Sequence, residues 1–216
     1  TDQMRISEEG LFLSPLELTG PEQMAIDLFL LDKSLSEKDF SMAIRFYTWD
    51  GHWLSIGKNQ KHISKRWINL SKKKKLRIVR RPSGGQAVLH SQGLTYALIW
   101  KNPPRNKKES YFKTAEWLIN GFKKAGINLN FGNEPAKRQS INCFSNSTVA
   151  DLVDKKGNKY VGSAQFWKKG HLLQHGEILI EPSKELWIDI FNTAPPKINN
   201  LKDKDIIINF LKESMI

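Results

Sequence analysis

The chain has 216 residues, with 34 Lys and Arg against 22 Asp and Glu for a formal net charge of +12, 39% hydrophobic residues and one cysteine. That apolar content is enough for a packed core and excludes a disordered chain, no apolar run approaches the ~20 residues that span a bilayer, and a single cysteine excludes an internal disulfide or a cysteine-rich zinc site. The positive charge suits nucleic acid first and other acidic macromolecules second, yet Lys, Asn and Ile are abundant throughout, and the run Lys72 to Lys75 reads equally as a solvated loop.

The stretch Met4 to Gly10 is mixed and charged and has no signal pattern, so a cytoplasmic location is expected. Thr19 followed by Pro21 is a helix entry. Met24, Ala25, Leu28 and Leu31 then recur at helical spacing as a core face. Met42 to Trp49 alternates in β-forming residues, and Trp53 to Gly57 follows after an Asp50-Gly51 turn, which reads as a hairpin. "HISKRWINL" reads as a short helix, and "LRIV", "AVLH" and "LTYALIW" as three strands. Asn102 to Ser110 is a loop by composition, and Tyr111 to Ile127 an amphipathic helix with Phe112, Ala115, Leu118, Ile119 and Phe122 on one face and Gly126 at its end. Strands are expected from Leu129 to Glu181, with turns at 155–158 and 168–170, then a short helix over Ser183 to Phe191 capped by Ser183. Asp203 to Glu213 reads either as a terminal helix or as a buried strand.

These elements describe an α+β chain: a single mixed-sheet domain over residues 1–216 with flanking helices. Strands and helices do not alternate as in a doubly wound sheet, and no G-x-G-x-x-G or complete phosphate-binding P-loop is present.

The segment "RRPSGGQAVLH" interrupts a strong strand pattern. Pro82 fixes its own φ and pushes Arg81 out of the helical region, while Gly84 and Gly85 permit close approach to the main chain. Two readings stand: a hairpin turn with basic neighbours, or a cradle of N–H groups and arginine charge for an anionic or carbonyl group. Cys143 sits among Ser, Asn and Thr, where a basic chain would lower its pKa, although a lone cysteine is more often a small buried hydrophobe. Lys159 opens a strand; pointing inward it would carry a desolvation cost that function explains, and pointing outward it would be an ordinary surface lysine. Gly162, Ser163 and Ala164 are three small residues in that strand, either a bulge or a place where a ligand packs closely. His171 and His175 lie four apart with no third ligand nearby, so no metal site is expected, and His90 either faces a pocket or caps the sheet.

Together, "RRPSGGQAVLH", "NKYVGSAQ" and "LLQHGEILI", in this order, resemble the biotin/lipoate protein ligase family, and "PEQMAIDLFLL" and "FYTWDGHWLSIGKNQ" are similar to its first helix and hairpin. The resemblance is strongest over residues 20–191. It implies a biotin/lipoate-ligase-like catalytic fold with a narrow acyl channel under the glycine turn. Arg81, Ser83, Gly84, Gly85, Gln86, Ala87, His90, Gly162, Ser163 and Ala164 would then bind the acyl group. Lys159 would reach its carbonyl, where fixed donors stabilise the charge that acyl transfer develops on oxygen.

The family divides by activation chemistry. Ligases use ATP and Mg to make an acyl-adenylate, whereas octanoyltransferases take the acyl group from acyl carrier protein, one branch through an enzyme cysteine. Cys143, sixteen residues before Lys159, stands where that branch has its cysteine. The resemblance therefore implies octanoyl transfer from acyl carrier protein to a lysine of a lipoyl-domain protein, glycine cleavage H protein or a 2-oxoacid dehydrogenase E2, with Cys143 and Lys159 catalytic and no cofactor. Gln86 replaces the family's third glycine and Ser91 the Asp common in ligases, which puts the ATP-dependent lipoate ligase second. An octanoyl relay between lipoyl domains, biotin attachment and non-catalytic nucleic-acid binding rank lower, and neither nucleic acid nor membrane is expected as a partner.

Overall fold

The computed structural model describes residues 12–132, 151–198 and 203–215. In chain order the elements are β1 (Phe12–Leu18), α1 (Gly20–Ser36), β2 (Met42–Trp49), β3 (Trp53–Ile56), α2 (Lys65–Lys72), β4 (Arg77–Arg80), β5 (Val88–His90), β6 (Leu94–Trp100), α3 (Lys107–Lys124), β7 (Asn130–Phe131), β8 (Leu152–Val153), β9 (Lys159–Lys168), β10 (His171–Ile178), α4 (Lys184–Phe191) and α5 (Lys204–Glu213). No described helix is long and apolar enough to cross a membrane.

The expected α+β class is what folds. Seven strands form a mixed sheet in the order β1-β2-β6-β10-β9-β8-β7, and β4-β3-β5 form a second, smaller sheet. β1, which the sequence reading did not foresee, runs parallel to β2, while β2, β6, β10, β9 and β8 pair antiparallel in succession. β2 and β3 are not a hairpin: the Asp50-Gly51 turn hands the chain from one sheet to the other. β3 pairs parallel with β4 and antiparallel with β5. The glycine turn is therefore not a hairpin turn either, because its two flanking strands lie on opposite sides of β3.

α1 starts where the sequence places it, on a Thr19–Glu22 capping box with Pro21 in the first turn. Its inner face differs from the apolar reading: Ala25 is exposed, and Gln23 and Asp27 are buried beside Met24, Leu30 and Leu31. α3 begins earlier than expected, at Lys107, because the Asn106 side chain caps it. Phe112 is half exposed and stacks on Phe131 at 5.3 Å, while Trp117 takes a core position. α4 is capped by Ser183 as read, and Asp203 caps α5 and decides its helical state.

Three apolar clusters follow from this arrangement. One lies between the large sheet, α3 and α5; a second fills the small sheet against α2 and α4; a third holds α1 on the other face of the large sheet.

Candidate active site

A cleft of about 150 Å³ opens between the glycine turn, α1 and strands β9 and β10. Arg81, Gly84, Gly85, Gln86, His90, Lys159, Gly162, Ser163 and Ala164 all line it, so nine of the residues singled out from sequence meet at one place. Ser83 and Ala87 are fully buried directly behind the wall. Cys143 lies outside the described residues. Met24, Tyr47, Trp49 and Val88 supply apolar lining.

The turn is seated by contact and by charge. Gly85 has φ +94, a conformation that side chains resist, and a Cβ on Gly57 would lie 2.0 Å from the Gly85 carbonyl oxygen. Arg81 closes the turn from inside: Nη2 donates to the carbonyls of Gly84 (2.8 Å) and Gln86 (2.7 Å), and Nη1 to Ser55 O and Oγ (3.0 and 3.1 Å). Each peptide is planar and trans, so the N–H groups of Gly85 and Ala87 point away from the guanidinium.

Two polar chains converge on this turn. In the first, Ser55 Oγ meets His90 Nε2 at 2.8 Å, and His90 Nδ1 meets Glu177 Oε2 at 2.7 Å. Thr95 donates to the same carboxylate oxygen at 2.6 Å and accepts from Trp49 Nε1 at 2.8 Å. An arginine only donates and a carboxylate only accepts. With a neutral His90 ring the ends fix every proton between them: Arg81 to Ser55, Ser55 to His90 Nε2, His90 Nδ1–H to Glu177. Burial, opposed by the Glu177 charge, holds the His90 imidazole below its ordinary 6.5, in keeping with that neutral tautomer. The ring stacks on Trp49 at 3.9 Å.

In the second chain Ser83 Oγ meets His175 Nε2 at 2.5 Å, and His175 Nδ1 reaches Asp27 Oδ2 at 3.2 Å. Tyr47 donates to Oδ2 at 2.7 Å and Arg45 to Oδ1 at 3.0 Å. Burial and then the Asp27 charge push the Tyr47 phenol well above its ordinary value, so it remains a donor. Ser83–His175–Asp27 has the order of a hydrolytic triad, but Ser83 is fully buried and does not line the cleft. Its hydroxyl positions the turn instead of attacking a substrate.

Lys159 is only 2% exposed and its Nζ lies 3.0 Å from Asp151 Oδ2, so the buried ammonium has a buried counter-charge. Beside it Ser163 Oγ meets Tyr96 OH at 2.5 Å; burial raises that phenol to about 12. Ser91 Oγ accepts the Ser183 N–H at 3.0 Å, tying the cleft's back wall to the α4 cap.

Asp27, Tyr47, Ser55, Thr95, Asp151 and Glu177 were missed from sequence, and His175 was weighed only as a metal ligand. A readable signal existed for two of them. Asp27 interrupts the apolar face of α1, and Glu177 stands inside an otherwise apolar strand end, each a charge whose burial needs a partner.

Residues 19–207 match the lipoyl protein ligase A/B catalytic domain. The chain is 34% identical to octanoyltransferase LipM of Lysinibacillus sphaericus over 95% of this chain and 80% of that protein. It is 35% identical to octanoyltransferase LipM of Bacillus subtilis over 89% of this chain and 75% of that protein. Among solved structures, the bi-partite lipoate protein ligase of Thermoplasma acidophilum superposes with a TM-score of 0.69 at 17% identity, covering 95% of this chain and 81% of that one, which is a likeness of fold.

Proposed function

The chain belongs to the lipoyl protein ligase A/B catalytic domain family, and from that premise we propose that it moves an octanoyl group from acyl carrier protein to a lysine of a lipoyl domain through a thioester on Cys143. It is an acyltransferase of protein lipoylation, as its octanoyltransferase relatives are. The observation that carries the residue-level reading is the buried Lys159–Asp151 pair on the wall of an apolar cleft, facing a main-chain turn braced by Arg81.

In this reading the Cys143 thiolate attacks the octanoyl thioester, the carrier's sulfur leaves and takes up a proton, and the acyl group is held as an enzyme thioester. The acceptor lysine then attacks as a free amine. The amide bond forms, Cys143 leaves as thiolate, and the amine's proton is lost to solvent. Lys159 and the turn's N–H groups stabilise the oxyanion of each tetrahedral intermediate. The cleft's carbon walls bind the chain at about 0.8 kcal/mol per buried CH₂. Thioester to amide is downhill, so the reaction needs no ATP.

Intact mass after incubation with octanoyl-acyl carrier protein, without ATP, tests this directly. One added octanoyl group is expected on the wild type and none on Cys143→Ser. Absence of the adduct, with transfer to a lipoyl domain appearing only when ATP is supplied, would replace the reading with a ligase.

A further inference from the structure

The chain's charge is concentrated. Residues 58–80 carry ten Lys and Arg (Lys58, Lys61, Lys65, Arg66, Lys72 to Lys75, Arg77 and Arg80) and no Asp or Glu. All ten are exposed. Lys75 is paired with Glu185 at 3.7 Å and Arg77 with Asp50 at 2.7 Å; among the described residues the other eight meet no carboxylate within salt-bridge distance. Such a field draws an acidic partner and speeds its encounter.

The band starts at the cleft. Lys58 N–H donates to Ser83 O at 2.9 Å, and Arg80 Nη1 holds the carbonyls of Gly57 (2.9 Å) and Gln60 (2.7 Å), which stitches the loop before α2 to the glycine turn. Lys58 Nζ lies 5.2 Å from the centre of the Phe166 ring, two residues beyond Ala164 on the facing wall. From there the band passes onto α2. Trp67 and Leu70 anchor that helix inward, Trp67 through a 2.9 Å bond to Ile190 O. Its outer face carries Lys65, Ile68 and Lys72 at spacings of three and four, one stripe along the helix. Ile68 is 39% exposed, an apolar spot flanked by cations.

We propose that the Lys65–Ile68–Lys72 stripe of α2 is the docking surface for the donor: an acidic carrier protein that delivers its acyl thioester on a flexible phosphopantetheine arm. The inference rests on the octanoyl-transfer reading and adds which partner uses this face. The offset of the stripe from the cleft selects the donor over the acceptor. A carrier's long arm spans the loop between α2 and the turn, whereas an acceptor lysine on a domain's own surface has to sit over the mouth itself. The apolar centre selects a protein over nucleic acid, because Trp67, the one Phe, Tyr or Trp of the stretch, is buried and offers no face for a base. Cations at the rim supply encounter rate and salt dependence, and a small apolar contact supplies residence.

The test compares the double variant Lys65→Glu/Lys72→Glu, and separately Ile68→Ala, with the wild type on two donors: octanoyl-acyl carrier protein and carrier-free octanoyl-pantetheine. The double variant is expected to raise KM for the carrier-bound donor on the order of tenfold and to flatten its salt dependence. kcat/KM for octanoyl-pantetheine and KM for the lipoyl domain should stay at wild-type values. An unchanged carrier KM overturns the proposal. So does a rise confined to the lipoyl domain, or loss of affinity for a duplex DNA probe with carrier kinetics intact. If the wild type transfers from neither donor, the octanoyl-transfer reading fails, and calorimetric titration with the apo carrier decides the surface on its own: binding lost in the double variant supports it, binding retained rejects it.

Discussion

His90 is kept neutral by burial even though the Glu177 carboxylate beside it favours the charged ring. That choice has a consequence for pH. The unfolded chain binds a proton on this histidine below 6.5, while the folded chain resists it to lower pH. The contribution to stability is therefore complete above about pH 6.5 and is lost as pH falls from there towards the depressed folded value. Protonation would also turn Nε2 from acceptor into donor and reverse the Ser55 hydrogen bond, altering the polar chain that supports Arg81 under the turn. Melting temperature should begin to fall as pH drops below about 6.5, and transfer rate should fall only at lower pH, where the folded ring itself takes the proton; His90→Gln should show a shallower fall of both. A variant whose pH profile parallels the wild type would remove His90 from this role. His175, held by Asp27 and Ser83, braces the same turn from the α1 side, so the two histidines divide the work by direction.

At the scale of elements, the turn depends on two chain segments that touch without hydrogen-bonding through their glycines. The methyl of Gly57→Ala would lie 2.0 Å from the Gly85 carbonyl oxygen, a distance backbone cannot accept, whereas the methyl of Gly84→Ala would meet nothing within 4 Å. Gly57→Ala should cost about 1–3 kcal/mol of stability, as overpacking does, and reduce transfer further by moving the turn away from Lys159. Gly84→Ala should melt near the wild type. Urea unfolding of the pair reads the contrast, and equal midpoints would show that the close approach is not a constraint. Signals contained within a few residues were legible in the sequence: the Thr19 and Ser183 caps, the turns at Gly157 and Gly170, and the small Gly162-Ser163-Ala164 wall. What was hidden depends on partners far along the chain. β1 is a strand because it adds to β2, and β3 leaves β2 because β4 and β5 complete it. Asp27 can be buried only because Arg45, Tyr47 and His175 surround it.

For the whole molecule, the cleft lies at the seam of the two sheets, and its walls come from different apolar clusters: Met24, Tyr47 and Trp49 from one, Val88 from another. The cluster between the large sheet, α3 and α5 contributes no described wall residue, so it is there that stability and catalysis are separable in space. α5 packs on α3 across the large sheet's other face, with Leu211 fully buried and its carbonyl accepting Trp117 Nε1 at 2.8 Å. Gly121 makes room for it, since a Cβ there would lie 2.4 Å from Leu211 Cδ2. Leu211→Ala leaves that carbonyl bond in place and opens a cavity between two helices, a change that typically costs about 2–5 kcal/mol. None of the cleft-lining residues belongs to α5 or α3. The expected result is a large shift in the urea midpoint with an unchanged transfer rate per folded molecule under native conditions. A rate that falls in proportion to the lost stability, measured where the variant is still fully folded, would mean instead that the α3–α5 core transmits strain through the sheet to Tyr96 and Ser163, and that the seam and the core are one mechanical unit.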